Sequence, residues 1–415
     1  MVRCRFKYWS CCWGKYSYSS RFDSYDCWTR LYAIWLGIAI VTFPIVFTLG
    51  SFGRIIPNAG GVLSYITRAF GTRFTRAVSF ALLGSVPIGT PIVALIGANY
   101  LGGFFSLSPL IITLIAFLMI FISLLLNAVG LKIAARAQIS VVCMVITFIL
   151  FSMFSGLPFI NKEEFTPFLP MGWGAVGYAM VPIFFSFCGW EMITSLAEEY
   201  KNPERNFFPS LLTAAIIITI LYVGVSFVTV ASGVYHSSKA MMDPFSILIG
   251  QAFGKESAFV VTILAVLMAF MTTHINITGF SRLIYAQARS GNLPSCLSSL
   301  HEKYKTPIGA LWSLGGLFVM TLLTQFIFQF DLIELIKLPS TVFVFSYVVI
   351  MAAGVKLFKK QKWVWVSSFI SLIMCLFILL LSTYVMIFPL ILFFIGWVLG
   401  KSRHTKNNPS LNDLM

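Results

Sequence analysis

The sequence predicts an all-α polytopic membrane protein, and three observations support this prediction. Of its 415 residues, 58% are hydrophobic and 10% are charged, whereas ordinary soluble domains carry about 25% charged residues. The apolar residues form runs of about 20, the length that crosses a hydrocarbon core of about 30 Å. These runs are continuous rather than alternating. Because a bilayer admits only helices or closed barrels, they predict helices.

Eleven apolar runs are predicted to span the bilayer. They occupy residues 31–52, 77–104, 108–129, 137–159, 174–196, 210–234, 257–280, 308–329, 332–356, 363–381 and 383–400.

The basic residues of the loops predict the orientation, because cytoplasmic loops are enriched in Lys and Arg. Nineteen basic residues follow the first, third, fifth, seventh, ninth and last runs. The alternate loops hold three, which are Lys162, Lys239 and Lys255. The nineteen are therefore expected in the cytoplasm, together with the short tail 401–415.

Residues 1–30 conflict with this orientation. It places them outside the cell, yet they carry six basic residues and no apolar run. Back-translated codons of Tyr8 to Gly14, read from the second base, give small apolar residues with spaced glycines. We therefore expect residues 1–30 to be an aberrant basic segment, a frameshifted rendering of a first transmembrane helix. The alternative is a basic tail. Residues 31–400 are then the transmembrane domain.

The sequence carries no signal of catalysis or of a bound cofactor. It has no nucleophile motif, no metal-ligand spacing and no phosphate loop, so we expect a protein that is not an enzyme and uses no metal. Three of the eight cysteines, Cys143, Cys188 and Cys375, lie singly within spans. The net charge of +15 comes from basic residues at span ends, which predicts orientation in the membrane rather than nucleic-acid binding.

Two stretches resemble the amino acid–polyamine–organocation (APC) permease superfamily. The first is "PNAGGVLSYITRAFG", residues 57–71, which is similar to the family's P-x-x-G-G-x-x-x-Y-x-x-x-x-F-G loop. The matching positions are Pro57, Gly60, Gly61, Tyr65, Phe70 and Gly71. The second is "FFSFCGWEMITSLAEEYKNPERNFFP", residues 184–209. The stretches "PNAGG", "SVPIGTP" and "EEYKNPER" are most similar to bacterial exporters of methionine and branched-chain amino acids.

The resemblance implies a bundle like that of the leucine transporter, built from two inverted five-helix repeats. The family has twelve helices, so this chain holds helices 2 to 12 and helix 1 is lost. The family's first and sixth helices are broken in mid-membrane, and residues 184–209 match the sixth. The backbone groups freed at such a break can bind the carboxylate and the ammonium of an amino acid.

The residues of the break are the expected substrate-binding residues. They are Phe185, Ser186, Phe187, Cys188, Gly189 and Trp190. Gly189 could instead be a helix-packing glycine, and Phe187 or Trp190 could face lipid.

Glu191 follows the break, where a carboxylate costs at least about 2.5 kcal/mol unless it faces a polar cavity or is protonated. We expect it to face the interior and to couple proton binding or gating to transport. The alternative is a structural acid that binds backbone groups of the break. A cytoplasmic gate network is expected from Glu198, Glu199, Lys201 and Arg205, with a solvated turn as the alternative. Asn202–Pro203 is expected to end this helix and Pro209 to open the next.

Three further places carry weaker signals. Pro87, Gly89 and Pro91 are expected to unwind or kink their helix beside the substrate pathway. His274 and Asn276 are polar at membrane depth and either line the pathway or form interhelical hydrogen bonds. An interfacial ion pair is expected among Asp331, Glu334 and Lys337.

The predicted function is secondary transport of neutral apolar amino acids such as methionine, leucine, isoleucine and valine across the cell membrane. Alternating access would be driven by a proton gradient or by exchange, because no nucleotide-binding motif is present. The partners expected are the amino acid, the proton and the lipid bilayer, with no nucleic acid. One alternative is an importer or exchanger of amines, polyamines or other amino acids. Another is a receptor built on a transporter fold, and a third is a chain that is inactive because helix 1 is missing.

Overall fold

A computed structural model describes residues 28–57, 60–130, 135–161, 180–181, 183–194, 197, 200–233, 244–254, 256–289 and 293–399. Residues 1–27 of the predicted N-terminal segment 1–30, Glu198, Glu199 and the C-terminal tail 401–415 lie outside these residues.

Residues 180–181 and 183–186 are helical, and thirteen further α-helices have both ends in the described part of the chain. They are α1 (Trp28–Ile55), α2 (Gly61–Phe70), α3 (Thr72–Phe105), α4 (Pro109–Ala128), α5 (Ala135–Gly156), α6 (Trp190–Thr194), α7 (Pro203–Ala231), α8 (Pro244–Phe253), α9 (Ser257–Arg289), α10 (Ile308–Phe328), α11 (Leu332–Leu357), α12 (Lys362–Leu381) and α13 (Ile387–Leu399). Short 3₁₀ turns occur at Leu157–Phe159, Ser295–Ser298 and Thr383–Met386.

Nine of these helices are long and apolar enough to cross a membrane. A shorter apolar helix runs from Thr383 to Leu399 at the position of the last predicted span. Of the remaining predicted span, 174–196, the structure describes residues 180–181 and 183–194, which include an interruption and α6. The all-α polytopic fold is therefore confirmed.

Two predicted spans end at the wrong residues. α3 begins at Thr72 rather than at residue 77, and α9 continues to Arg289 rather than ending at residue 280. Hydropathy detects the part of a helix that lies in hydrocarbon, whereas the hydrogen-bonded helix continues into the polar region. Gly71 separates α2 from α3. Its φ of 85° interrupts the helix, and glycine adopts this conformation readily because it has no Cβ.

The prediction for the prolines around α7 is also wrong. Pro203, not Pro209, opens the helix, and Pro209 lies inside it. Pro203 suits the first helical position because no intrahelical partner is needed there for a backbone N–H. Asn202 precedes it as N-cap with φ −141° and ψ 78°.

Two groups of helices build the core. The larger buried cluster joins α1, α2, α7, α11 and α12 to the segment that precedes α6. The smaller cluster joins α3 to α4, α9 and α10. α3 packs against α11 as well, and so connects the two groups.

Glycines allow α1 to approach α7 closely. A Cβ on Gly50 would lie 2.8 Å from the ring of Phe208, and one on Gly53 would overlap the ring of Phe207. Both side chains belong to the first turns of α7, directly after the interrupted segment. The packing of α1 therefore fixes where the chain continues after the break.

Candidate functional site

The predicted break is present between residues 187 and 189. Residues 183–186 are helical, Phe187 lies in a turn, Cys188 and Gly189 lie outside any helix, and α6 begins at Trp190. The backbone N–H groups of Phe187 and Cys188 donate to the carbonyls three residues earlier, at 2.9 and 3.1 Å. This turn is tighter than an α-helical turn and ends the first half-helix.

Gly189 permits the change of direction. Its φ of 118° is a conformation that residues with a Cβ rarely adopt. Among the described residues, no atom beyond its two chain neighbours lies within 4 Å of the position that a Cβ would take. The glycine is therefore explained by its backbone angle and not by close helix packing, which was the alternative.

Glu191 links the break to α11. Its side chain is 5% exposed, and its Oε2 accepts a hydrogen bond of 3.0 Å from the backbone N–H of Gly189. The hydroxyl of Tyr347 donates to the same oxygen. The acid thus faces the interior of the bundle and also binds a backbone group of the break. Both arrangements considered from the sequence, the interior acid and the structural acid, are therefore present together.

Tyr347 is held in place by its own neighbours. It is 1% exposed, and the ring of Phe184 meets its ring edge-on with 5.7 Å between centroids. The hydroxyl of Thr194 donates to the backbone oxygen of Glu191 at 2.6 Å. These contacts fix the acid and its phenol donor from both sides of the break.

Three aromatic side chains surround the turn. The ring centroid of Phe187 lies 5.7 Å from that of Trp35 on α1 and 5.1 Å from that of Tyr222 on α7. The centroids of Trp35 and Tyr222 are 5.2 Å apart. The hydroxyl of Tyr222 donates to the backbone oxygen of Ser186 at 3.4 Å. Phe187 and Trp190 are 3% and 5% exposed, so both face the protein interior and not lipid.

The other predicted substrate-binding residues are less enclosed. Phe185 is half-buried, and its ring centroid lies 5.9 Å from that of Phe343 on α11. The side chain of Ser186 is exposed, and the Sγ of Cys188 donates to the carbonyl of Phe184 at 3.4 Å. The break therefore has an aromatic side and a more accessible side at Ser186.

Sequence reasoning missed Trp35, Tyr222, Phe343 and Tyr347, which lie on α1, α7 and α11. Tyr347 carried a usable signal, because a tyrosine in the middle of an apolar span needs a hydrogen-bond partner for its hydroxyl.

The charges that follow α6 are only partly described. The side chains of Lys201 and Arg205 are exposed, and neither forms an ion pair with a described residue. Their participation in a cytoplasmic gate remains a prediction.

The segment Pro87–Gly89–Pro91 is not unwound, because α3 is helical from Thr72 to Phe105. Pro91 has no N–H to donate to the carbonyl of Pro87. The hydroxyl of Thr321 on α10 donates to this carbonyl instead, at 2.9 Å. Gly89 faces Pro339 of α11, whose Cβ would lie 3.4 Å from a Cβ on the glycine.

His274 takes part in interhelical hydrogen bonds. Its Nδ1 lies 3.1 Å from the hydroxyl of Ser123 and 3.2 Å from the amide nitrogen of Asn127, both on α4. Thr278 of α9 donates to the amide oxygen of Asn127 at 2.6 Å. This geometry favours the bridging role that was weighed from the sequence.

The ion pair expected at the start of α11 is found. The Nζ of Lys337 lies 2.6 Å from the carboxylate of Glu334. Lys337 is 3% exposed and its partner 29% exposed, so the lysine is more deeply buried than an interfacial pair requires.

Comparison with known proteins shows a family match over nearly the whole chain. The model of the amino acid permease family matches residues 29–412. The chain is 37% identical over 370 residues to the uncharacterized amino acid permease YecA of Bacillus subtilis (strain 168), with 89% of this chain and 87% of that protein covered.

Two further relatives have names that state a substrate. The chain is 25% identical over 380 residues to the L-methionine/branched-chain amino acid exporter YjeH of Escherichia coli (strain K12), covering 90% of this chain and 88% of that protein. It is 28% identical over 281 residues to the branched-chain amino acid permease BcaP of Bacillus subtilis (strain 168), covering 68% and 58%.

Proposed function

The chain belongs to the amino acid permease family, and from this premise we propose that it is a secondary transporter of neutral apolar amino acids. Methionine, leucine, isoleucine and valine are the candidate substrates. The similarity to a methionine and branched-chain amino acid exporter and to a branched-chain amino acid permease supports this substrate class.

The observation that carries the proposal is the helix break at Cys188–Gly189 inside the bundle. A break in mid-membrane leaves backbone N–H and C=O groups outside the regular helical pattern. Such groups can bind the two charged ends of a zwitterion, while side chains around the break select the substrate side chain.

The side chains around the break favour an apolar substrate. Trp35, Phe187 and Tyr222 form an aromatic cluster on one side, and Phe185 and Phe343 lie together on another. A cationic or dicarboxylic substrate would require a compensating charge in this environment.

Glu191 is the proposed coupling residue. Two hydrogen bonds reach the same carboxylate oxygen of Glu191, one from the backbone N–H of Gly189 on the break and one from the hydroxyl of Tyr347 on α11. A protonated acid accepts hydrogen bonds more weakly than a carboxylate. Proton binding would therefore loosen the connection between the break and α11, which is a route from a proton to a conformational change.

Counterflow in proteoliposomes tests the substrate class without assuming a direction of transport. Vesicles loaded with unlabelled leucine or methionine should accumulate the labelled amino acid, and isoleucine and valine should compete whereas lysine and glutamate should not. The experiment uses the chain as given and a version with a first transmembrane helix restored. Counterflow of a diamine but of none of the four amino acids, in both versions, would overturn the proposal in favour of the amine-transporter alternative.

A further inference from the structure

A cavity lies at the end of the bundle that the loop charges assign to the cytoplasm. Its volume is about 370 Å³, within the range of about 300–1,000 Å³ that is usual for ligand pockets. Phe47 of α1, Phe208 of α7 and Val364 of α12 form its apolar walls. The two phenyl rings meet edge-on with 5.1 Å between centroids.

One basic side chain lines the mouth of this cavity, and two others are its neighbours in sequence. Arg54, in the last turn of α1, lines it together with Gln361, and both side chains are exposed. Within the described residues Arg54 forms no ion pair. Lys360 and Lys362, which flank Gln361 in sequence, are exposed as well.

Apolar groups are exposed beside these cations. Ile55, which also lines the cavity, is 41% exposed, and Trp363, next to Lys362, is 77% exposed. Tryptophan is enriched where a membrane meets water. Apolar walls, cations and an exposed tryptophan therefore occur together, a combination typical of a membrane–water interface.

We propose that this cavity binds an anionic phospholipid of the cytoplasmic leaflet. An acyl chain lies against Phe47 and Phe208, and the phosphate is held by Arg54 and by the lysines around Gln361. Basic pockets between transmembrane helices on the cytoplasmic side are suited to anionic head groups. A small soluble anion would leave the aromatic walls uncovered, and a zwitterionic lipid would compensate the cations less well.

The binding would act on helices that position the break. The cavity is formed by α1, α7 and α12, and α1 packs through Gly50 against Phe208. A lipid in this place would hold the start of α7 against α1.

Lipid binding is tested by native mass spectrometry of the purified full chain in detergent. Phosphatidylglycerol and phosphatidylcholine with identical acyl chains are titrated separately. We expect preferential binding of phosphatidylglycerol, and the variant Arg54→Gln should bind it about fivefold more weakly because one basic residue near the head group is lost. Arg68→Gln is the matched control, because Arg68 is an exposed arginine on α2 that does not line the cavity.

Every other outcome contradicts the lipid site. Equal binding of both lipids, or equal weakening by the two arginine variants, would leave only general attraction to basic loops. Protection of the protein against thermal unfolding by glycerol phosphate as strong as that by phosphatidylglycerol would indicate a soluble anion. If Arg54→Gln does not fold, Gln361→Glu places a negative charge at the same mouth and must weaken phosphatidylglycerol binding. None of these measurements depends on transport.

Discussion

The hydroxyl of Tyr347 donates a hydrogen bond to Oε2 of Glu191, although 156 positions separate the two residues in the chain. The same oxygen accepts the backbone N–H of Gly189. A single carboxylate oxygen therefore connects a helix break to a distant helix. Hydrogen bonds to a charged group in a buried place contribute about 1.5–3 kcal/mol each, enough to influence a conformational equilibrium.

Tyr347→Phe should slow counterflow about tenfold or more, because it removes one donor to Glu191 and leaves the ring in place. Tyr384→Phe, at a tyrosine that is 64% exposed, is the control and should transport normally. The rates are measured in proteoliposomes that contain equal amounts of folded protein. Normal counterflow by Tyr347→Phe would show that the phenol does not take part in transport.

The connection between the two residues also predicts how their variants combine. Glu191→Gln alone should impair transport, and adding Tyr347→Phe to it should have little further effect, because the bond between them is already weakened. Independent effects that add fully would mean that the tyrosine and the acid act separately.

The fold was largely predictable because hydropathy reports burial in hydrocarbon directly. The helix ends were less so, since α3 and α9 extend past their apolar parts at Thr72 and Arg289. The break was predictable from Glu191 beside Gly189 and from the resemblance of residues 184–209 to the family's sixth helix. An acid is unusual at such depth, whereas a glycine alone is common in membrane helices. Tyr347 and Tyr222 were not found, because their place beside the break depends on how α11 and α7 pack against it.

Gly189→Ala should lower the unfolding temperature and transport together. The φ of 118° imposes strain of about 1–3 kcal/mol on a residue with a Cβ. In the part of the chain that the structure describes, no atom outside the adjacent residues lies within 4 Å to add a clash. Gly316→Ala is the matched control, because a Cβ on that glycine would have the same free space but the residue lies inside α10. It should be neutral or slightly stabilising. Equal effects of both variants would show that the special conformation of the break is unimportant.

Thr321→Val should destabilise the protein by about 1 kcal/mol, because the carbonyl of Pro87 loses its donor from α10. Thr324→Val is the control on the same helix, where the hydroxyl donates to the carbonyl of Met320 and to no other described residue. Thermal unfolding in detergent compares the two. A loss of stability no greater for Thr321→Val than for Thr324→Val would mean that the proline carbonyl does not need this donor.

Tyr65→Phe should leave stability unchanged or raise it, in contrast to Tyr347→Phe. Tyr65 is fully buried and its ring stacks on Phe52 with 4.4 Å between centroids. Its hydroxyl has no hydrogen-bond partner within the part of the chain that the structure describes. Burial raises the pKa of Tyr65, so the hydroxyl stays neutral. A buried polar group without a partner is unfavourable, and the substitution removes only that oxygen.

The unfolding temperatures of Tyr65→Phe and Tyr347→Phe are measured side by side in the same detergent. The two variants lose the same atom from buried rings, so their difference reports the hydrogen bond and not the change in volume. A clear destabilisation by Tyr65→Phe would show that its hydroxyl has a partner after all. It would also show that the Phe52–Tyr65 stack needs that bond to hold α2 against α1.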